Sequence, residues 1–337
     1  MIDQYARTID YMRISITDRC NLRCTYCMPV DIEKLEHESI LTYEEILRIC
    51  VIASSLGIRK IKITGGEPLV RKDAVDLMKS IKAIPGIEYV TLTTNGVLLE
   101  EKVEELARIP LDGVNVSLDT LNPNTFKKIT GRDEYFKVWN GLQKLIKSGV
   151  PTKINCVPQK GVNEKELIDI VDLAVKFPID VRFIEMMPIG YGKEYEPIKG
   201  EDIKSRIAEK FPNISSQKKM RGFGPAEYIT SDEWKGNIGF INAISHKFCS
   251  TCNRIRLTSK GFLKPCLCYG DGVDLMSAMR RGASDLELSS LLSDAIEKKP
   301  LEHNFDRKDQ GSFHQGSNNQ GHEHNHKEIR EMFKIGG

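Results

Sequence analysis

The feature that most constrains the fold of this chain is an alternation of short aliphatic runs with longer amphipathic stretches between residues 12 and 211. The β-branched runs predict strands at residues 12–16, 59–63, 89–93, 113–117, 153–157 and 181–185. Stretches with helical periodicity begin near Thr42, Val70, Leu98, Pro123, Asn163 and Lys199. Six β/α units in series predict a parallel sheet with right-handed crossovers, curled into most of a TIM-type barrel.

Beyond this predicted barrel the sequence changes in character. Strand-like pieces around residues 227–229, 239–241 and 254–257 predict a smaller β-rich extension. A later segment rich in Gly, Ser, Asn, Gln and His predicts poor order. We therefore expect four regions: a partial barrel over residues 1–211, a C-terminal extension over 212–302, a flexible segment over 303–330 and a tail over 331–337.

The composition argues against several functional classes. The 337 residues are 40% hydrophobic and 28% charged, and no apolar stretch approaches the roughly 20 residues that span a bilayer. A formal net charge of +2 gives no global field for nucleic acid, so local clusters of Lys and Arg must hold any anionic ligand. Nine cysteines without a secretory leader predict a reduced, cytoplasmic protein.

Polar and glycine-rich residues follow most of the predicted strands. They are Thr-Gly-Gly-Glu-Pro at residues 64–68, Thr-Asn-Gly at 94–96, Ser117, Asp119 and the stretch 185–188. A single Asn-Gly after a strand is typical of an ordinary turn, but the repetition over several strands is not. Because parallel barrels carry their reactive residues at the carboxyl ends of the strands, we expect the active site there.

Six of the nine cysteines form two triplets, Cys20, Cys24 and Cys27 near the start and Cys249, Cys252 and Cys266 near the end. Gaps of three and two residues let one loop direct three thiolates at an iron–sulfur cluster and leave one iron open. In the second triplet the gaps are two and thirteen residues. This spacing predicts a tight turn followed by a strand or hairpin that returns the third ligand.

Spacing alone leaves other uses of these cysteines open. Structural zinc favours four ligands, and Cys268, two residues past Cys266, could complete the second set. Disulfides fit triplets poorly. Cys50 and Cys156 are typical of buried apolar positions. The alternating histidines at 322, 324 and 326 are typical of a solvated linker, although metal-binding tracts also have this pattern.

The first triplet, with the aromatic Tyr26 before its last cysteine, resembles the cluster motif of the radical S-adenosylmethionine (SAM) enzymes. The run Gly65-Gly66-Glu67-Pro68 resembles the glycine-rich element of the same superfamily. This resemblance implies a [4Fe-4S] cluster whose open iron binds the amino and carboxylate groups of SAM. An electron from the cluster then cleaves the sulfonium to give a 5'-deoxyadenosyl radical.

A closer resemblance is to the MoaA family, the GTP 3',8-cyclases, which begin molybdenum cofactor biosynthesis. The matching runs are residues 12–21, 60–69 and 248–257 and the terminal Ile-Gly-Gly at 335–337, so the resemblance extends over nearly the whole chain. It implies an incomplete (β/α)6 radical SAM barrel and a C-terminal extension that carries a second [4Fe-4S] cluster. The expected cofactors are thus two [4Fe-4S] clusters and SAM.

The resemblance also implies the reaction. The second cluster binds the guanine of GTP, the adenosyl radical removes the hydrogen at C3' of the ribose, and the carbon radical attacks C8 of the purine. Reduction yields (8S)-3',8-cyclo-7,8-dihydroguanosine 5'-triphosphate, the product of a lyase of the cyclase type. Expected partners are an electron donor, cyclic pyranopterin monophosphate synthase as the next enzyme, and a second copy of the chain in a homodimer.

Site residues follow from the matching motifs. The resemblance assigns Tyr26, Gly66, Ser117 and Met187 to SAM, and Arg13, Lys62, Thr94, Lys153, Arg254, Ile255 and Arg256 to GTP. It also implies that the tail brings Gly336 and Gly337 into the active site. Lys62 stands where many relatives carry Arg, so the charge is kept but the forked geometry is lost.

Two other functions remain as alternatives at this stage. One is a radical SAM enzyme that modifies peptides and carries an auxiliary cluster, although such enzymes usually have more C-terminal cysteines than this chain. The other is a non-catalytic iron–sulfur or zinc protein that transfers electrons or binds a partner.

Overall fold

Twelve strands form one twisted sheet in a computed structural model that describes residues 1–28, 37–217, 222–305, 328 and 330–335. Its centre consists of six parallel strands in chain order. They are β1 (Tyr11–Ser15), β2 (Lys60–Thr64), β3 (Tyr89–Thr94), β4 (Gly113–Ser117), β5 (Thr152–Cys156) and β6 (Asp180–Ile184). Each lies within one residue of the predicted bounds, which confirms the β/α alternation.

Helices cross between these strands and cover the outside of the sheet. They are α1 (Tyr43–Ser55), α2 (Ala74–Lys82), α3 (Leu99–Ala107), α4 (Pro123–Thr130), α5 (Tyr135–Lys147), α6 (Leu167–Lys176) and α7 (Gly200–Lys210). The sequence predicted one helical stretch between β4 and β5, but Gly131 ends α4 in the left-handed conformation, at φ 66°, and α5 follows.

Two helices begin later than predicted. Helix α2 was expected near Val70, but residues 68–70 form a 3-10 turn that starts with a proline. The helix then begins only after Asp73, which has a φ of 60°. Helix α6 follows a similar turn over Glu164–Glu166. In both places periodicity alone did not distinguish the 3-10 turn from the helix after it.

The later strands extend the same sheet on both sides. They are β7 (Ser215–Ser216), β8 (Glu227–Thr230), β9 (Asn237–Ile241), β10 (Arg254–Leu257), β11 (Phe262–Lys264) and β12 (Val273–Asp274). Strand β10 pairs in parallel with β1, and β9 pairs in parallel with β6. The outer strands β11, β12, β8 and β7 are antiparallel. Among the described residues no pairing joins β7 to β12, so the barrel remains open.

The remaining described helices are α8 (Leu275–Arg280), α9 (Asp285–Glu297) and α10 (Met332–Ile335). No described helix combines the length and apolar character that a membrane span requires.

Alternation along the central strands decides what faces the barrel interior. On β1, Met12 and Ile14 are fully buried in the apolar layer beneath the helices. Arg13, between them, lines the interior cavity. Because successive side chains of a strand point to opposite faces, the apolar residues pack outward and the polar ones point inward. Charged and polar side chains of the central strands therefore point into the interior chamber of the barrel.

Candidate active site

A cavity of about 790 Å³ occupies the barrel, and cysteines of both triplets line it. The first triplet follows β1 and so lies at the carboxyl ends of the parallel strands. Cys249 and Cys252 precede β10, which is parallel to β1, and Cys266 follows the antiparallel β11. The second triplet therefore lies at the amino ends, opposite to where the sequence placed the active site. The two cysteine groups face each other along the barrel.

The first triplet forms a compact loop. The Cys27 amide donates to the Cys24 carbonyl at 2.9 Å, and the Leu22 amide and the Asn95 side chain donate to the Cys20 sulfur at 3.4 and 3.6 Å. Burial raises the pKa of Cys20 to about 11, and burial together with the nearby Cys20 raises that of Cys27 to about 12. Thiols in such surroundings ionise when a positive ion is bound beside them, so the loop fits a metal cluster.

Gly66 fits closely against this loop. A Cβ atom at Gly66 would lie 2.4 Å from the Arg19 carbonyl oxygen, and the Glu67 amide donates to that same oxygen at 2.8 Å. The resemblance assigns Gly66 to the SAM site. In the structure, the space that a side chain would need is taken by the backbone of residues 18 and 19, so glycine is needed here for packing against the cysteine loop.

Glu67 connects three strand ends. Its fully buried carboxylate accepts from the Leu69 amide at 3.0 Å, from the Thr94 hydroxyl at 2.8 Å and from the Asn95 amide at 2.6 Å. Burial raises the pKa of Glu67 to about 7. Thr94, assigned to GTP by resemblance, lines the cavity but also donates its hydroxyl to this carboxylate.

The residues assigned to SAM gather at the same end. Tyr26, Gly66, Ser117 and Met187 all line the cavity. The Tyr26 hydroxyl donates to Asp119 at 2.8 Å, and Asp119 accepts from the Val157 amide at 2.8 Å. Burial raises the pKa of Asp119 to about 6. Carboxylates thus predominate at this end of the chamber.

The second triplet has the local structure that its spacing predicted. Residues Cys249–Thr251 form a 3-10 turn, and the hairpin of β10 and β11 then returns the chain to Cys266. Burial acts to raise the pKa of Cys252, but Arg254 and Lys299 outweigh it and lower the pKa to about 7. This triplet lies in cationic surroundings, in contrast to the first.

Cations from neighbouring strands line the wall between the triplets. They are Arg13 on β1, Lys62 on β2, Lys153 on β5, Arg182 on β6, and Arg254 and Arg256 on β10. In register, Arg13 lies beside both Lys62 and Arg256. Burial, followed by the charges of Arg182 and Arg13, holds the pKa of Lys62 well below its usual value. Like charges this close are costly unless an anion offsets them.

Other predicted residues lie elsewhere. The Ile255 side chain is 1% exposed and packs in the apolar core, so only its backbone is available to a ligand in the cavity. Gly336 and Gly337 lie outside the described residues, as do the histidines at 322, 324 and 326. Cys50 and Cys156 are fully buried, as expected.

Sequence reasoning did not single out several polar residues of the wall. Arg182 donates to the Asn115 side chain, and Lys153 pairs with Asp180 at 3.0 Å. Within the described part of the chain, Arg182 Nε and Asn155 Oδ1 are buried without a hydrogen-bond partner. The signal was present, because Asp180 and Arg182 alternate with the apolar Val181 and Phe183 along β6.

No three His, Cys, Asp or Glu side chains of the described ranges are arranged around a single metal ion. An iron–sulfur cube binds each thiolate through a different iron, so its ligands need not meet at one point. Cys24 lies close enough to Cys27 and Cys20, and Cys249 close enough to Cys266 and Cys252, for those neighbours to add to the effect of burial in raising the pKa of Cys24 and of Cys249. Both triplets fit the chemistry of such a cluster.

Comparison with known families identifies the chain. The Radical SAM superfamily model matches residues 14–174, and the Molybdenum Cofactor Synthesis C model matches residues 179–305. A GTP 3',8-cyclase of Clostridium perfringens (strain SM101 / Type A) is 47% identical over 310 residues, which cover 92% of this chain and 96% of the relative. The chain belongs to the GTP 3',8-cyclase family.

More distant comparisons agree with this membership. The GTP 3',8-cyclase of Syntrophomonas wolfei is 44% identical over 342 residues and covers all of both chains. Among solved structures, Streptococcus suis SuiB bound to S-adenosylmethionine matches 85% of this chain and 68% of its own at a TM-score of 0.59. At 18% identity this likeness concerns the fold alone. The predicted incomplete radical SAM barrel is confirmed.

Proposed function

We propose that this protein is a GTP 3',8-cyclase that converts GTP into (8S)-3',8-cyclo-7,8-dihydroguanosine 5'-triphosphate, a lyase-type step in molybdenum cofactor synthesis. One observation carries the proposal: a cation-lined chamber joins two cysteine triplets. A chamber of this kind suits a polyanionic substrate between two clusters. Family membership supplies the reaction.

Cys20, Cys24 and Cys27 would hold the first [4Fe-4S] cluster, and Cys249, Cys252 and Cys266 the second. When bound, the first cluster supplies the electron that cleaves SAM. Tyr26, Gly66, Ser117 and Met187 then form the SAM site. Asp119 holds the Tyr26 hydroxyl at 2.8 Å and so fixes the side chain before SAM binds.

The wall cations bind the triphosphate. Arg13, Lys62, Lys153 and Arg256 surround the chamber, and we add Arg182, which faces the same space. Guanidinium groups bind phosphate oxygens in pairs, and a polyanion relieves the repulsion among these buried charges. Arg254 lies next to Cys252, so we assign it to the guanine end of GTP. Thr94 and the backbone of Ile255 are the remaining groups that we assign to GTP.

The chamber also isolates the reaction. Apolar layers surround its polar lining, which limits the access of water and of other hydrogen donors to reactive carbon centres. Holding ribose and purine within one chamber makes the ring closure intramolecular.

The wider expectations belong to the same proposal. We infer an external electron donor, transfer of the product to cyclic pyranopterin monophosphate synthase, a homodimer and a cytoplasmic location. The division of the chain near residue 211 and the entry of Gly336 and Gly337 into the active site are also proposed.

The deciding experiment is anaerobic incubation of reconstituted protein with GTP, SAM and a strong reductant, followed by chromatography and mass analysis. One hydrogen atom leaves C3', and one electron and one proton return, so the product is an isomer of GTP. We expect this isomer together with 5'-deoxyadenosine. ATP in place of GTP is the control and should give no isomer.

Two results would contradict the proposal. The first is 5'-deoxyadenosine formed at the same rate with and without GTP. The second is stoichiometric zinc without acid-labile sulfide. Two [4Fe-4S] clusters would instead require about eight iron atoms per chain.

A further inference from the structure

The C-terminal tail returns to the barrel through a buried ion pair. Glu328 is 4% exposed, and its carboxylate contacts the ammonium group of Lys264, which is fully buried on β11. Lys264 also donates to the Tyr269 carbonyl at 2.7 Å. Arg330 completes the group, with Nε 2.8 Å and Nη2 3.0 Å from the two Glu328 oxygens.

Backbone contacts attach the same point of the tail to the segment that carries the second triplet. The Glu328 amide donates to the Cys268 carbonyl at 2.8 Å, and Arg330 donates to the Gly270 carbonyl at 3.3 Å. The Arg330 guanidinium lies 5.0 Å from the centre of the Phe262 ring. All these partners lie on β11 or in the loop that follows Cys266.

A few residues later the tail reaches the first triplet. Phe333 is 2% exposed, Ile335 is fully buried, and the Phe333 amide is hydrogen-bonded to the Cys27 thiol. Met332 and Phe333 line the cavity. The described tail therefore contacts both the loop that follows Cys266 and Cys27 of the first triplet.

Helix α10 spans only Met332–Ile335, so it has too little internal hydrogen bonding to hold itself in place. Once the tail is docked, Lys264 and Glu328 depend on each other, because a buried ion left without its partner is much more costly than the intact pair.

We propose that Glu328, held by Lys264 and Arg330, is a positioning residue that sets the register of the C-terminal tail. Its ion pair fixes Phe333 beside Cys27 and Ile335 in the core, two residues before the chain ends. The effect of this register on catalysis rests on the proposed cyclase function. The anchoring of the tail by Glu328 does not depend on that function.

Amide exchange of residues 331–335, followed by mass spectrometry on the full-length cluster-loaded protein, tests the anchor. Lys264→Met and Glu328→Leu should each raise exchange on the order of 100-fold, because each leaves one buried charge without its main partner. The double variant removes both fully buried charges and leaves Arg330, whose side chain is 32% exposed, to solvent and the Gly270 carbonyl, so exchange should return to within a few-fold of wild type. Lys334→Met is the control, because the exposed Lys334 contacts Glu331 and the Phe333 ring within the tail and takes no part in the Glu328 ion pair.

Iron content and circular dichroism show whether each variant is folded and loaded. Unchanged tail exchange in both single variants, or no recovery in the folded double variant, would overturn the anchor.

The catalytic part is tested separately: kcat for cyclisation should fall in the single variants and recover in the double variant, with KM for GTP little changed. Normal kcat with a released tail would overturn the positioning role. A wild-type protein that fails to cyclise GTP while its tail behaves as described would count against the proposed function alone.

Discussion

Lys62 is a residue whose charge state depends on what the chamber contains. It lies beside Arg13 in the strand register and is 9% exposed. Burial, and after it the charges of Arg182, Arg13, Lys153 and Arg254, keep its pKa well below the usual value. A triphosphate would reverse the electrostatic part of this effect and raise the pKa. Substrate binding and proton uptake at Lys62 should therefore be coupled.

We predict that GTP binding takes up a proton at Lys62 and weakens as the pH rises through the interval between the pKa of the free side chain and its higher pKa in the complex. The sign follows because the bound state, with the higher pKa, holds more protons than the free state. Calorimetric titrations in two buffers of different ionisation enthalpy measure the uptake directly. Lys62→Arg is the matched variant, since a guanidinium remains charged. Equal proton uptake by wild type and Lys62→Arg would refute the coupling.

At the scale of elements, the hairpin of β10 and β11 carries most of the second site. It places Arg254 and Arg256 on the cavity face and brings Cys266 back towards Cys252. The buried Lys299 holds both ends of this hairpin, donating to the Arg254 carbonyl at 2.9 Å and to the Pro265 carbonyl at 2.5 Å. Its charge also helps to lower the pKa of Cys252. Lys299 thus supports the second triplet by geometry and by charge.

We predict that Lys299→Met destabilises the second cluster and spares the first. The iron content should fall from about eight towards about four atoms per chain, while reductive SAM cleavage remains measurable. Cys252→Ala gives the reference value for loss of the second cluster. Lys298→Met is the control, because the neighbouring Lys298 is exposed. Full iron content in Lys299→Met would show that this support is unnecessary.

The strands and motifs also show how much of the fold and of the candidate site could be predicted from the sequence. The central strands follow from the sequence, because β-branched residues that alternate with polar ones leave a strong local pattern. The position of the second triplet does not follow, since it depends on the parallel pairing of Arg254 with Tyr11, residues far apart in the chain. The motif residues Tyr26 and Gly66 were recognisable, whereas Arg182 belongs to no local motif and required the alternation along β6 to be examined residue by residue.

For the whole molecule, the main feature is the polarity of the chamber. Glu67 and Asp119 lie near the first triplet, and the cations lie along the wall towards the second. This arrangement suits two ligands. One has positive groups, such as SAM, and binds near the first triplet; the other is a polyanion and binds towards the second triplet. The tail contacts Cys27 of the first triplet and the loop that follows Cys266, so its described residues are well placed to affect the reaction.

We predict that deletion of Gly336 and Gly337 impairs cyclisation and leaves both clusters in place. Tail exchange over residues 331–335 should stay slow, because the contacts of Glu328, Phe333 and Ile335 remain. This pattern separates loss of the terminal glycines from loss of the anchor, which releases the whole tail. The measurements are turnover, iron content and amide exchange. An unchanged turnover number would show that the two glycines have no catalytic role.

The parallel pairing of β10 with β1 also affects how the chain folds during synthesis. Strand β1 leaves the ribosome early, but its outer edge pairs only with residues 254–257. At about 5–20 residues per second this edge stays unpaired for on the order of ten seconds or more. An unpaired, apolar strand edge is a site of intermolecular aggregation. Until the last parallel strand has been made, this edge of a nascent chain is open to pairing with other chains.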